Sequence, residues 1–126
     1  MKHRHILLVD DDADDQEFFR DALELIPAPL SCDIAVNGKD ALQKLAKNEH
    51  FPDLIFLDWN MPIMNGQQFL EELCRQPILR AIPVIIISTS SHDQTRQTAE
   101  RLGVRQFITK PNSFKGLVDA VAAVLL

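Results

Sequence analysis

Carboxylate, hydroxyl and ammonium side chains follow the short apolar runs of this sequence, at the point where each run ends. In chain order they are Asp10, Asp11, Asp12, Asp58, Ser88, Thr89, Ser90 and Lys110. A carboxylate that directly follows a buried run costs free energy unless another group offsets or uses its charge. The placement of Asp58, straight after "DLIFL", therefore raises the question of which residues accompany it.

Close carboxylates repel and raise one another's pKa values, and a divalent cation would relieve that repulsion. Magnesium prefers one or two carboxylates, completed by water and phosphate oxygens. The ammonium of Lys110 can pair with a carboxylate or a phosphoryl group, and the hydroxyl of Ser88 can donate to a phosphate oxygen. The set predicts a site in which Asp58 accepts a phosphoryl group while metal and ammonium offset its charge.

The elements that must position these residues are five β-rich runs in strict alternation with five helical patterns. The runs are "HILLV", "CDIAV", "DLIFL", "VIIIS" and "QFIT". Alternation with short connections predicts a parallel sheet covered by helices on both faces. Ligands of such sheets bind outside the carboxyl ends of the strands, where the polar residues fall.

Apolar spacing predicts the buried face of each helix. The predicted faces are Phe18, Ala22, Leu25 and Ile26; Ala41, Leu42, Leu45 and Ala46; Phe69, Leu70, Leu73 and Cys74; Thr98, Ala99 and Leu102; and Phe114, Leu117, Val118, Val121 and Leu125. Gly103 is predicted to cap the fourth helix. The last helix spans 113–126 and is apolar nearly all round. Either this helix is a partner or homodimer surface, or it is a frayed chain end with small residues.

Composition limits the class of protein. The 126 residues are 46% hydrophobic, which predicts one compact domain over 1–126. A net charge of −5 and a pI near 5.2 argue against binding nucleic acid. No run has the length of a membrane span and the start is no signal peptide. Cys32 and Cys74 are predicted to be reduced core thiols in a cytoplasmic protein.

Four segments, "LLVDDD", "LIFLDWNMPIMNG", "IPVIIIST" and "FITKP", resemble the signature segments of response regulator receiver domains, in that family's order. The resemblance covers essentially the whole chain. Within the family, the chain resembles single-domain members that are like the chemotaxis regulator. It implies the flavodoxin-like (βα)5 fold, a doubly wound five-stranded parallel sheet with helices on both faces. It also implies Mg²⁺ and a phosphoryl group received from a histidine kinase or phosphotransfer protein.

The resemblance also implies a role for each matching residue. Asp58 would be the phosphoacceptor, assisted by Ser88 and Lys110. Ser88 and Phe107 would be the switch pair. The metal ligands would be Asp10, Asp11, Asp58 and the main-chain carbonyl of Asn60. The bond between Lys110 and Pro111 would be cis, against the general preference of X–Pro bonds for trans.

Three positions depart from the family's usual residues. Ser88 stands where threonine is commoner and loses β-branched stiffness. Thr89 stands where alanine is frequent and narrows access to the phosphoryl group. Phe107 replaces a frequent tyrosine and has no ring hydroxyl. These changes bear on rates and on the strength of the switch, while the groups needed for phosphorylation remain.

Simpler interpretations exist for the acidic run. A calcium loop starting at Asp10 would need glycine at its sixth place and glutamate at its twelfth, where Asp15 and Asp21 stand. Asp12, Asp14 and Asp15 are instead predicted to cap the first helix. Asp58, Ser88 or Lys110 alone is typical of a capping or surface residue. Their joint placement with Asp10 and Asp11, at four strand ends in all, favours a common site.

The leading hypothesis is a single-domain response regulator that signals by binding an unknown downstream protein or by phosphorelay. Only 16 residues follow Lys110, which predicts no output domain. A second hypothesis is an enzyme with an aspartyl-phosphate intermediate, but such enzymes usually carry an acid/base aspartate where Asn60 stands. A third is a binding module that does not use phosphate, which the retained charged set disfavours.

Overall fold

The computed structural model describes residues 2–47, 50–89 and 92–126, so the predicted contribution of Ser90 lies outside the described residues. Five parallel strands form one sheet with the order β2-β1-β3-β4-β5. The strands are β1 (Arg4–Val9), β2 (Leu30–Ala35), β3 (Leu54–Leu57), β4 (Val84–Ser88) and β5 (Gln106–Thr109). The predicted parallel sheet is confirmed.

A helix follows each strand. The helices are α1 (Ala13–Glu24), α2 (Gly38–Lys47), α3 (Gly66–Cys74), α4 (Asp93–Arg101) and α5 (Phe114–Leu125), with a 3-10 turn at Leu79–Ala81. Asp12 caps α1 by accepting a hydrogen bond from the Asp15 amide, as predicted for the acidic run. Gly103 follows α4 with φ +84°, the left-handed conformation expected of a helix-ending glycine.

Helices cover both faces of the sheet. Successive side chains of each strand point to opposite faces, so the buried strands present apolar side chains on both. β3 and β4 are buried along their whole length, and β1 is buried from Ile6 onward. The face toward α1 and α5 packs Ile6, Leu8, Phe19, Leu23, Leu54, Phe56, Ile85, Ile87, Val121 and Leu125. The face toward α2, α3 and α4 packs Leu7, Val9, Leu45, Ile55, Leu57, Phe69, Leu70, Ile86 and Ala99. The doubly wound arrangement is confirmed.

The predicted face of α1 is partly wrong. Phe18 and Leu25 are 52% and 63% exposed, and the buried stripe is Phe19, Ala22, Leu23 and Ile26. Two neighbouring stripes of α1 are apolar, and both fit a helical period. The sheet selects between them, since Phe19 packs on Phe56 of β3 with ring centroids 4.9 Å apart.

Two further expectations are corrected. Both cysteines are free, but Cys74 is exposed at the end of α3 and is not a core thiol. The bond between Lys110 and Pro111 is trans, because no cis peptide bond occurs among the described residues. Trans is the ordinary X–Pro isomer, and the surrounding contacts here do not override that preference. No helix in the described ranges is long and apolar enough to cross a membrane.

The loop between β3 and α3 contains a strained residue. Ile63 has φ +69°, a conformation rare for a β-branched residue, and its side chain is 76% exposed. Strain of this kind costs about 1–3 kcal/mol, and so exposed a side chain regains little of that by packing.

Replacing Ile63 with glycine is therefore expected to raise the free energy of unfolding by about 1 kcal/mol, because glycine adopts positive φ without strain. Urea denaturation followed by circular dichroism measures the change. Ile78 is the matched control, being 69% exposed with φ −72°. Ile78→Gly should destabilise, so a loss of stability in both variants would contradict the strain argument.

Candidate functional site

The register of the central strands places two aspartates side by side. Val9 is the partner of Leu57 across β1 and β3, and each strand is followed at once by an aspartate. The amide of Asp58 donates to the carbonyl of Val9 at 2.9 Å, which extends the pairing by one residue. Asp10 and Asp58 therefore leave the sheet together at its carboxyl edge.

Asp11 joins them, and carboxylate oxygens of Asp10, Asp11 and Asp58 all lie within 4.8 Å of one another. Asp10 and Asp58 are only 4% and 7% exposed, while Asp11 is exposed. This is the acidic cluster predicted from the ends of the first and third runs.

Neighbouring groups of the same loop pack against the side chain and the main chain of Asp58. Its Oδ1 accepts a hydrogen bond from the Trp59 amide at 2.9 Å. Gly66 packs so close that a Cβ there would lie 2.7 Å from the carbonyl oxygen of Asp58. Burial raises the pKa of Asp58 from 3.8 to about 6, and the negative charge of Asp10 adds to the rise against the attraction of Lys110.

Asp10 is fixed through both its side chain and its main chain. Its Oδ1 accepts from the Asp12 amide at 2.9 Å, and its carbonyl accepts from Nε2 of Gln16 at 2.7 Å. Burial raises the pKa of Asp10, while the hydrogen bond from the Asp12 amide and the charge of Lys110 oppose the rise. Both buried carboxyls thus hold their charge at a free-energy cost.

Lys110 supplies the positive charge from the end of β5. Its amide donates to the carbonyl of Ser88 at 2.9 Å, which aligns it with the end of β4. Its Nζ lies 2.7 Å from Asp15 Oδ2, 3.4 Å from Asp10 Oδ2 and 3.8 Å from Asp58 Oδ1. Burial alone would lower the pKa of Lys110, but the hydrogen bond to Asp15 and the nearby carboxylates raise it overall.

Asp15 is the site residue that sequence reasoning missed. The sequence predicts only that Asp15 helps to cap α1, yet Asp15 is the nearest carboxylate to the Lys110 ammonium among the described residues. The two residues are 95 positions apart. Only the geometry of the fold could have identified Asp15, because a residue in the first turn of α1 lies beside the sheet edge at which β5 ends.

The other predicted residues occupy different depths. Ser88 is fully buried, and Asn60 and Thr89 are exposed beside the cluster's strands. Phe107 is half-buried and packs toward the face of α2, α3 and α4. The guanidinium of Arg96 stacks over the Phe107 ring at 4.6 Å, and its Nη2 donates to Oγ1 of Thr109 at 2.9 Å. Phe107 is therefore covered by α4.

The acidic cluster opens onto a cleft of about 280 Å³ between α1 and the segment after β5. Asp10, Asp58 and Lys110 form its polar end. Asp15, Asn112 and Ser113 also line the cleft, and its other lining side chains, among them Phe18 and Phe114, are apolar. A reactant can reach the carboxylate of Asp58 through this opening.

Curated relatives match this chain over part of their own length. The protein-glutamate methylesterase/protein-glutamine glutaminase of Treponema denticola is 40% identical over 114 residues, covering 89% of this chain and 30% of the relative. The phosphate regulon transcriptional regulatory protein PhoB of Escherichia coli is 36% identical over 123 residues, covering 97% of this chain and 52% of the relative. The chain thus spans about a third to a half of these relatives.

Solved structures match over nearly their full length. The phosphorylated cyanobacterial phytochrome response regulator RcpA has a TM-score of 0.90 and 30% identity, covering 98% of this chain and 91% of RcpA. The Mn²⁺-bound form of the response regulator Rcp1 has a TM-score of 0.87 and 28% identity, covering 96% and 91%. A family model for the response regulator receiver domain matches residues 6–122. This chain belongs to the response regulator receiver domain family.

Proposed function

We propose that Asp58 is the phosphoacceptor of this receiver domain and takes its phosphoryl group from a phosphohistidine of a kinase or phosphotransfer protein. One observation carries the proposal: the carboxylate of Asp58 is buried among like charges, with the Lys110 ammonium 3.8 Å away and a cleft open to solvent. Such a carboxylate is desolvated, aimed and accessible, as a nucleophile must be.

The acidic cluster suits a magnesium ion. Its donors are carboxylate oxygens, the ligand type that Mg²⁺ prefers. The pKa of Asp58 is raised mainly by burial and further by the charges of Asp10 and Asp11, and a bound cation would offset those two charges. Asp10, Asp11, Asp58 and the carbonyl of Asn60 would hold the ion. When bound, it would neutralise charge on the phosphoryl oxygens. The Mn²⁺-bound form of Rcp1, a similar protein, supports a divalent site here.

In the proposed transfer, an oxygen of Asp58 forms a bond to phosphorus as the phosphorus–nitrogen bond of phosphohistidine breaks. The bond electrons stay with the nitrogen, and a protonated phosphoimidazole leaves as neutral imidazole. Asp58 must be ionised to attack, and with a pKa of about 6 it is mostly charged above pH 7. Lys110 lies close enough to offset the charge of the transferred group.

Phosphorylation would act on the end of the sheet through Ser88 and Lys110. The buried hydroxyl of Ser88 and the ammonium of Lys110 belong to paired strands, so both would move toward the new charge. Phe107 lies two residues before Thr109, the strand partner of Ser88. Inward rotation of Phe107 would reshape the surface formed by α4 and β5, where we place the downstream partner.

A homodimer through the last helix, α5, has less support than the partner surface at α4 and β5. Ala122 and Val124 of α5 pack against the core, which covers much of a helix that is apolar all round. Phe114 and Leu126 remain exposed, at its two ends. We therefore propose that α5 contributes to contacts with other proteins mainly through the Phe114 end, beside the cleft.

Incubation with Mg²⁺ and a small phosphodonor such as acetyl phosphate is expected to add the mass of one phosphoryl group. Intact-protein mass spectrometry measures the gain, which should vanish in Asp58→Asn and on addition of EDTA. Asp119→Asn, an exposed change of the same charge on α5, is the control and should retain the gain. Phosphorylation that persists in Asp58→Asn would defeat the assignment.

Asp58→Asn is also expected to stabilise the metal-free protein at pH 7.5, by on the order of 2 kcal/mol. The pKa of Asp58 is raised from 3.8 to about 6, so keeping the folded carboxyl ionised lowers the stability of the protein. This cost grows as the pH rises from 3.8 and reaches its full size above about pH 6. Below pH 3.8 both folded and unfolded carboxyls are protonated, and the difference should disappear.

Urea denaturation in EDTA, at pH 7.5 and at a pH below 3.8, measures the difference in stability between the wild type and Asp58→Asn. Asp119→Asn corrects for the change in net charge. Added Mg²⁺ should stabilise the wild type more than Asp58→Asn. If Asp58→Asn is no more stable than Asp119→Asn at pH 7.5, the cluster is not under electrostatic strain.

Loss of the contact between Arg96 and Phe107 is expected to favour the inward rotation of Phe107. The guanidinium stacked over the ring stabilises the present position of the ring by about 0.5–1 kcal/mol. With Mg²⁺ present, Arg96→Gln should lower the half-saturating concentration of beryllofluoride, a phosphoryl mimic, by about two- to fivefold. The emission of Trp59, the single tryptophan and the neighbour of Asp58, is the readout.

Arg101→Gln is the control on the same helix, since Arg101 contacts Thr98 within α4 and not β5 in the described contacts. The control should leave half-saturation unchanged. Equal curves for Arg96→Gln and Arg101→Gln would show that the stacked guanidinium does not hold Phe107.

A further inference from the structure

The nearest carboxylate to the Lys110 ammonium belongs to Asp15, outside the predicted set of site residues. Asp15 Oδ2 lies 2.7 Å from Nζ, a full hydrogen bond, while the oxygen of Asp58 lies at 3.8 Å. The ammonium therefore lies nearer to Asp15 of α1 than to the carboxylate that would carry the phosphoryl group.

The main chain of Asp15 is held at the start of α1. Its amide is bound to the side chain of Asp12, the cap of α1, and the next residue, Gln16, is bound to the Asp10 carbonyl. Lys110 reaches the site on a flexible four-carbon stem. Movement of the ammonium toward Asp58 would thus lengthen or break its hydrogen bond to Asp15.

The pair is shielded enough for this contact to count. The side chain of Lys110 is 18% exposed and that of Asp15 is 37% exposed, so the contact is not a fully solvated surface pair.

We propose that Asp15 is a positioning residue that competes with phosphorylated Asp58 for the ammonium of Lys110, and so sets the threshold at which the site switches. The proposal rests on the proposed phosphorylation of Asp58. Phosphorylation adds negative charge on one side of the ammonium, and Asp15 holds it from the other side. Removing the charge of Asp15 therefore favours the phosphorylated arrangement.

Asp15→Asn tests the competition, because it keeps the size of the side chain and removes its charge. With Mg²⁺, the beryllofluoride concentration that half-saturates the Trp59 emission change should fall about fivefold. Asp14→Asn is the matched control: Asp14 lies in the same first turn of α1, so both variants lose a similar interaction with the helix dipole. The control should shift half-saturation less than twofold.

A double-mutant cycle shows whether Asp15 acts through Lys110. The effects of Asp15→Asn and Lys110→Met on the free energy of unfolding should be non-additive, since each breaks the same contact. Asp14→Asn and Lys110→Met should be additive. Additive effects of the Asp15 and Lys110 changes, or half-saturation in Asp15→Asn that equals or exceeds that of Asp14→Asn, would overturn the proposal.

Failure of the wider proposal would look different. If Asp58 is not the phosphoacceptor, either the wild type and Asp14→Asn would both show no phosphoryl mass gain with a small phosphodonor, or the gain would persist in Asp58→Asn. If only the competition is absent, both proteins would gain mass and respond to beryllofluoride, and Asp15→Asn would behave as Asp14→Asn does.

Discussion

Two carboxylates of like charge, Asp10 and Asp58, lie buried beside each other at the carboxyl edge of the sheet, and the rest of the site follows from that constraint. The repulsion cannot relax, because the register of β1 against β3 fixes the two main chains side by side. It is offset by directed groups: the amides of Asp12 and Trp59, and the ammonium of Lys110. A site of this kind has a standing affinity for positive charge, which suits both a divalent ion and a lysine that can shift between anions.

The same constraint explains why the site could be predicted from the sequence. The apolar runs before Asp10 and Asp58 are short and unbroken, so the ends of β1 and β3 are defined to within a residue. The run before Lys110 has only Phe107 and Ile108 as apolar residues, between Gln106 and Thr109. Parallel pairing then brings those ends to one edge, whatever the details of the helices. The cluster needed no knowledge of side-chain packing, and its geometry agrees with the prediction.

Packing decides the features that the sequence left ambiguous. In α1, Phe18 and Phe19 lie on adjacent apolar stripes, and only contact with Phe56 selects Phe19 for the core. Cys74 fits the apolar period of α3 but falls at its last turn, where the helix leaves the sheet. The pairing of Asp15 with Lys110 joins residues 95 positions apart, and local spacing holds no signal for such a pair.

The geometry of β5 links the two halves of the proposed switch. Residues two apart in a strand share a face, so Phe107 and Thr109 point to the same side of the sheet, and Arg96 contacts both of them. Lys110 follows directly and is drawn by Asp15 on the other side of the edge. A shift of the strand end toward Asp58 would therefore act against Asp15 through the lysine and against Arg96 through the ring. Two opposing contacts, one on α1 and one on α4, would make the response depend on a sum of small interactions that single charge changes can tune.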